Sequence, residues 1–384
     1  MTDHRTWAEI DLGAIGSNLD LIRRSLPART RILVVLKADA YGHGAVPVAR
    51  AALAHGAHML GVGDSSEALE LRGAGIEAPI LILGAIVDGE MEQVIAHRIT
   101  PCVHSAKRVH TLAAMAEALD RGVSVHLKVD TGMGRLGVMP SAVMDVAREI
   151  LASPRLHLEG ICTHLAQADR QDDPFTLEQI RIFHEVAAEV EALTGPIPLK
   201  HAASSAAVFH YPKAHLDMVR PGLAVYGLQP AGKGPGAPAL RPALSLKTQV
   251  VYLKDMPQGA PVGYARTHVT NRPTRIAILP IGYNDGYAFL FSNQAQVLVR
   301  GRRVPVVGRV SMDYTTVDVT DVPGVEVGEE VVLIGRQGRE QIPVEELARI
   351  KGTIPYEVVC SLGRRIRRVY VEGARQPAFW ETGT

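Results

Sequence analysis

The sequence predicts an α/β plus β chain, an N-terminal TIM (β/α)8 barrel followed by a mainly β C-terminal domain. Three observations carry this. From Arg31 to about Gly227, eight short apolar runs alternate with segments of helical spacing. Glycine and proline crowd together over residues 228–242, and the runs beyond them are β-rich and separated by turn residues. The eight runs are ILVVLKA, HMLGVG, PILILG, TPCVH, SVHLKVD, LEGICTHL, PLKHAAS and MVRPGLAVYG. In the first, Ile32 to Leu36 form an unbroken aliphatic stretch of the kind a buried strand needs. Between the runs, DSSEALELRGAG, AKRVHTLAAMAEALD and DPFTLEQIRIFHEVAAEVEAL space their apolar residues helically, the first and last with Ser or Asp near the start. Eight such repeats suit a barrel of about 250 residues. Strand order is not written in a sequence, so a doubly wound sheet stays open.

After the linker come LKTQVVYLKDM, RIAILPIG, AQVLVRGRRVPVVGRVSM, YTTVDVTDV and GEEVVLIG, with one helix suggested by VEELARI. The expected domains are therefore 1–235, the barrel, and 236–384, the β-domain. A length of 384 residues agrees with two units, because single cores stop growing at about 250 to 300 residues.

Composition narrows the function. Hydrophobic residues make up 47% and aromatics only 5%, and 41 basic side chains face 40 acidic ones. So balanced a chain has little net field to draw in nucleic acid or an anionic membrane, and neither is an expected partner. The N-terminus MTDHRTWAEIDL has no basic and apolar leader, and no apolar run approaches membrane-spanning length, so a cytoplasmic location is expected. Cys102, Cys162 and Cys360 are few and far apart, with no CxxC and no HExxH. No metal is expected, and buried thiols are the default.

In such a barrel the chemistry lies at the C-terminal ends of the strands. Lys37 ends the first predicted strand, at the mouth of a core, where desolvation makes an amine a better nucleophile. His164 ends the sixth; Arg135 follows the fifth; His201 and Ser205 end or follow the seventh; Arg220 and Gly222 belong to the eighth. The small residues of HAASSAA and VRPGLAVYG leave backbone amides accessible where barrels often bind phosphate. A strand-mouth lysine with a phosphate cradle is the minimum for holding pyridoxal phosphate as a Schiff base. The segment GMGRLG (132–137) is formally GxGxxG, but Pro140 delays the next helix and Arg135 occupies the variable stretch, which speaks against a dinucleotide fingerprint.

Residues 34–44 (VVLKADAYGHG), 125–137 (VHLKVDTGMGRLG), 219–227 (VRPGLAVYG), 280–287 (PIGYNDGY) and 308–313 (GRVSMD) closely resemble alanine racemase, a fold type III pyridoxal 5'-phosphate enzyme, across essentially the whole chain. The resemblance implies a Schiff base at Lys37, with phosphate contacts from Tyr41, Ser205, the backbone near Gly222 and Leu223, and Tyr356. It places Arg220 against the pyridine nitrogen, where a permanently protonated guanidinium keeps that nitrogen unprotonated and weakens the electron sink. It makes Lys37 and Tyr264 the two bases, Tyr264 reaching the site of a partner subunit in a homodimer with composite active sites. A tyrosine ionises near pH 10 in water, so neighbours have to help it. His164, between Tyr264 and Arg220 by family analogy, with His201 behind, would couple it to positive charge. Arg135 and the backbone amide of the partner's Met312 would bind the substrate carboxylate. Lys128 matches a lysine often carbamylated, and Asp313 and Tyr283 neighbour the entrance. The implied activity is interconversion of L- and D-alanine, supplying D-alanine for peptidoglycan. A racemase of serine or another small amino acid, a barrel-fold decarboxylase and a non-catalytic cofactor carrier are the rivals. Arg220 speaks against the decarboxylase, and Tyr264 with the β-domain against the carrier.

Overall fold

The computed structural model describes residues 4–229 and 238–373. The chain divides into two units. One comprises Ile15–Ala40 and Gly44–Arg241; the other comprises the described parts of Met1–Ala14, Tyr41–His43 and Pro242–Thr384. The expected boundary between residues 235 and 236 lies outside the described residues. Strands are numbered along the chain, and the first, β1 (Thr6–Asp11), belongs to the second unit.

The first unit is the barrel. Its strands are β2 (Arg31–Val35), β3 (Met59–Val62), β4 (Ile80–Ile82), β5 (Thr100–Val103), β6 (Val123–Lys128), β7 (Leu156–Cys162), β8 (Leu199–His201) and β9 (Met218–Val219), one in each of the eight apolar runs. They lie parallel in the order β8-β7-β6-β5-β4-β3-β2-β9. The ring closes where Asp217 N donates to Lys200 O at 3.1 Å and Arg220 N to Ala203 O at 2.8 Å. That order excludes the doubly wound alternative. β3, β4 and β5 are buried along their whole length, the reason these runs carry no polar alternation. Helices Ser65–Gly73, Ala106–Ala118 and Pro174–Thr194 start where Asp64, Ser105 and Asp173 accept the amides of Glu67, Arg108 and Thr176. Each such cap stabilises its helix by about 1 kcal/mol. Because all eight strands run the same way, their C-terminal ends open on one face.

The second unit is mainly β. Its other strands are β10 (Leu244–Gln249), β11 (Tyr252–Met256), β12 (Pro261–Val262), β13 (His268–Val269), β14 (Thr274–Leu279), β15 (Gln296–Val299), β16 (Arg302–Pro305), β17 (Thr315–Asp318), β18 (Glu330–Gln337), β19 (Glu340–Ile342) and β20 (Arg367–Val371). The largest sheet runs β16-β15-β18-β10-β1-β20, with β19 on β18. β1 pairs antiparallel with β10 and parallel with β20, so the amino-terminal strand sits in the middle of a sheet otherwise built after residue 241. In β10, Leu244, Leu246 and Thr248 are buried while Ser245, Lys247 and Gln249 are half-buried, the alternation of a strand with one covered face. A second sheet runs β11-β14-β17, and β12 and β13 form a separate hairpin. Val262, Ile276 and Val307 pack with Met256 and Ile278 beneath them. Among the described residues no helix is long and apolar enough to cross a membrane. Cys102 and Cys162 are buried as expected, whereas Cys360 is exposed.

Candidate active site

Within the barrel unit, Lys37 lies just past its strand. β2 stops at Val35, and Lys37 opens the short turn Lys37–Gly42. Ala38, Asp39, Ala40 and Tyr41 there have φ values of +54°, +52°, +52° and +54°, with Gly42 at +78°. A left-handed turn of L-residues costs about 1–2 kcal/mol per residue, so surrounding bonds must hold it. Val35 N donates to Pro221 O at 3.0 Å, Leu36 N to Gly61 O at 2.7 Å, and the buried Tyr226 hydroxyl to Val35 O at 2.7 Å. The Glu67 carboxylate then receives Ala38 N at 2.6 Å and Gly63 N at 2.7 Å. Asp39 receives Ala45 N at 2.7 Å. Strain and its restraint are concentrated around one amine.

Asp130 organises the loop after β6. Its carboxylate accepts the amides of Gly132, Met133, Gly134 and Arg135 at 2.9, 2.8, 3.1 and 3.1 Å. Burial works to raise its pKa, and these four donors together overcome that and hold it below the usual carboxylate value. The glycine-rich amides are thus directed at an internal carboxylate rather than a dinucleotide phosphate. Arg135 is left exposed at the loop, and Lys128, the last residue of β6, is buried with Nζ donating to Leu83 O at 2.9 Å.

His164 follows β7, which ends at Cys162. Burial first, then the positive charges of Arg220, Arg135, Lys128 and Lys37, push its pKa down to about 3. It is therefore held as a neutral imidazole near four cations. Gln179 fixes its loop, receiving Ala166 N at 2.9 Å and donating to Thr131 Oγ1 and His164 O, both at 3.4 Å.

Arg220 is only 6% exposed and held by three hydrogen bonds. Its guanidinium donates to His201 Nδ1 at 2.8 Å, Thr163 O at 2.7 Å and Ala202 O at 3.0 Å. Beside it, Ser205 Oγ accepts Gly222 N at 2.9 Å and Ala224 N at 3.1 Å, drawing these two amides together on either side of Leu223. With both lone pairs filled, the hydroxyl has a proton left to donate. Cations and amides at one barrel end suit a ligand that carries phosphate and carboxylate.

In the second unit, Tyr41 and Tyr356 stack obliquely, ring centroids 6.0 Å apart. Arg368 Nε ties Gly42 O at 3.0 Å, and a Cβ on Gly42 would meet Val359 O at 2.3 Å. Tyr264 stands at the tip of the β12–β13 hairpin and is 72% exposed. Tyr283 and Met312 are also exposed, on backbone joined by Tyr283 N to Ser311 O at 3.0 Å and Asn284 N to Met312 O at 3.2 Å. Arg365 bridges the same region, pairing with Asp285 at 2.9 Å and Asp313 at 2.8 Å.

A family profile described as alanine racemase, N-terminal domain, matches residues 10–230, and one for the C-terminal domain matches residues 243–370. The chain belongs to the alanine racemase family. A curated alanine racemase of Symbiobacterium thermophilum is 45% identical over 365 residues, 95% of this chain and 97% of that one. An alanine racemase structure from Bacillus anthracis with bound L-Ala-P superposes with a TM-score of 0.91 at 35% identity, covering 97% of this chain and 96% of that one. One from Bartonella henselae, described with covalently bound pyridoxal phosphate, gives 0.86 at 30% identity, covering 96% and 99%.

On this racemase chain the residues singled out by sequence fall into two sets. Lys37, Lys128, Arg135, His164, His201, Ser205, Arg220, Gly222 and Leu223 gather at the C-terminal end of the barrel strands. Tyr41 and Tyr356 meet in the β unit, where Tyr283, Met312 and Asp313 share one patch and Tyr264 occupies its own hairpin. Glu67, His126, Asp130, Glu159 and Gln179 were not singled out by sequence reasoning. Glu67 had a signal, as the acidic third residue after Asp64 in a capping-box spacing; Asp130 binds amides of its own loop, and the partners of His126, Glu159 and Gln179 lie on other elements. Among the described residues no group of three or more His, Cys, Asp or Glu is placed to hold a metal ion.

Proposed function

We propose that this racemase interconverts L- and D-alanine with pyridoxal phosphate, by two-base proton transfer in a cytoplasmic homodimer, and that the D-alanine supplies peptidoglycan. The observation that carries the reading is the barrel mouth itself, where an amine, a buried guanidinium and a hydroxyl–amide cradle share one face. These groups fit the cofactor. Ser205, the amides of Gly222 and Leu223, Tyr41 and Tyr356 would hold its phosphate, Lys37 would form the covalent bond, and Arg220 would face the ring nitrogen. When bound, the cofactor supplies an electron-withdrawing conjugated ring that acidifies the substrate's Cα–H.

The protein's own groups do the rest. Arg135, with the backbone amide of the partner's Met312, binds the carboxylate and so fixes which faces of Cα the bases see. Lys37 Nζ takes or returns the proton on one face; the hydroxyl of the partner's Tyr264 does so on the other. One base accepts the proton as the other donates, so charge balances and configuration inverts. His164 links that phenol towards Arg220 as a neutral relay. Lys128, carbamylated, would turn from a like-charged neighbour of Arg135 into an anionic acceptor that orients it. The β-domain, including Tyr283 and Asp313 at the entrance, completes the partner's site.

Purified protein incubated with enantiopure L-alanine should lose optical rotation, and borohydride should fix a pyridoxyl group on Lys37. Retained rotation or an unlabelled Lys37 would overturn the reading. Serine run in parallel tests substrate breadth, because a pocket distinguishes a hydroxyl by only about a hundredfold unless it binds it.

A further inference from the structure

A continuous line of polar groups runs back from Arg220 through the barrel interior. Arg220 Nη1 meets His201 Nδ1 at 2.8 Å; His201 Nε2 meets His126 Nδ1 at 2.7 Å; His126 Nε2 meets Glu159 Oε2 at 3.3 Å. Both histidines are completely buried, and Glu159 is partly exposed at the far end. Gly160 makes the room, since a Cβ there would lie 2.7 Å from the His126 ring.

The order of donors in this line is forced. A guanidinium only donates, so His201 Nδ1 must accept. A neutral His201 must then carry its proton on Nε2 and donate it, which obliges His126 Nδ1 to accept. His126 in turn holds its proton on Nε2 and gives it to a carboxylate. The reverse order would leave His201 with two acceptor nitrogens, an imidazolate beside other buried groups. We infer that Glu159 and His126 are positioning residues for the racemase reaction: Glu159, as terminal acceptor, fixes both histidines as neutral Nε2–H tautomers and so holds the Arg220 guanidinium in one orientation. This rests on the reading that Arg220 faces the cofactor ring. The surroundings agree with it. The His126 hydrogen bond keeps the Glu159 pKa below the ordinary value against the effect of burial, and burial with the Arg220 charge lowers that of His201. Without the acceptor, His126 would be released to flip its tautomer, and a donor would face a donor at one of the joints.

Histidine-labelled protein examined by long-range proton–nitrogen NMR tests this without reference to turnover. In the wild-type holoenzyme both rings should report the Nε2–H tautomer with Nδ1 as acceptor. Glu159→Gln retains an acceptor oxygen and should keep both signatures, with kcat within about threefold of wild type. Glu159→Leu offers no acceptor; an Nδ1–H population should emerge at His126, and kcat should fall roughly tenfold with KM within about twofold, the low end for loss of an outer orienting partner. An Nδ1–H or protonated ring in the wild type, or a Leu variant with wild-type spectra and kcat, would overturn the inference. If the Leu variant fails to fold, the wild-type spectrum alone decides, since any other tautomer pair breaks the line. Failure of the proposed activity would show instead as retained optical rotation in the wild type, which the histidine signals do not read.

Discussion

The barrel mouth and the Tyr264 hairpin are built on opposite principles. At the mouth, the held groups are tied within one unit: Arg220 makes three hydrogen bonds, Ser205 gathers two amides, and Glu67 pins the backbone on either side of the Lys37 region. Tyr264 stands at the tip of a two-stranded hairpin with nearly three quarters of its surface exposed, after Gly263 at φ +70° and before two left-handed residues, Ala265 and Arg266. In the proposed dimer this displayed aromatic side chain would enter the partner's site. One region is preorganised by its own chain; in that proposed dimer the other would be finished by assembly.

The largest effects should fall on the two bases and should separate them. Lys37→Ala removes both the anchor and one base, and should lower kcat by about 10⁴-fold or more and abolish borohydride labelling. Tyr264→Phe should leave labelling of Lys37 intact while lowering racemisation about 10²- to 10⁴-fold. Mixing the two inactive proteins under subunit exchange breaks or sharpens the comparison. Each hybrid would hold one site with both native bases and should recover up to half the activity of one wild-type dimer. A verified hybrid with no recovered activity would show that both bases come from one chain.

A smaller effect tests how the mouth restrains its strain. Glu67→Ala leaves the amides of Ala38 and Gly63 without their carboxylate. It should cost about 0.5–1.5 kcal/mol of stability in denaturant unfolding, the net worth of a hydrogen bond whose freed donor can still reach water. Cofactor retention by Lys37 should weaken with it. Gly42→Ala loads the end of the same turn, because its φ is +78° and its Cβ would press on Val359 O. A stability unchanged in both variants would mean that the turn needs no such restraint.

How much of this was legible before the structure follows from the range of each interaction. The eight barrel strands were, because burial on both faces writes itself as unbroken aliphatic runs, and so was the crowding of polar residues at their ends. β1 was not assigned a strand: TWAEID is short, and what makes it one is pairing with β10 and β20, more than 230 residues away. The left-handed turn after Lys37 was invisible too, since Ala, Asp and Tyr give no local reason to adopt positive φ; tertiary bonds impose it. The His201–His126–Glu159 line joins residues from three strands, and no spacing along the chain announces it. That His164 lies near Arg220, Arg135, Lys128 and Lys37, whose charges together with burial lower its pKa, is likewise drawn only by three-dimensional proximity.

The smallest predicted effect compares the two units by their response to acid. His58, His104, His164, His201 and His215 all belong to the barrel unit, and burial is the leading cause that lowers the pKa of each. An unfolded chain takes up protons near pH 6.5 that these folded sites refuse, so stability is fully present above that pH and is lost as pH falls towards the folded values, about 3 for His164. Hydrogen-exchange protection, corrected for intrinsic rates, should therefore drop in β2 to β9 between about pH 7 and 5 before it drops in the sheet containing β1 and β10. His201→Asn should make that loss shallower, although it weakens the wild-type line to Glu159. If the β unit loses protection first, or the variant changes nothing, these barrel histidines are not what the barrel gives up in acid.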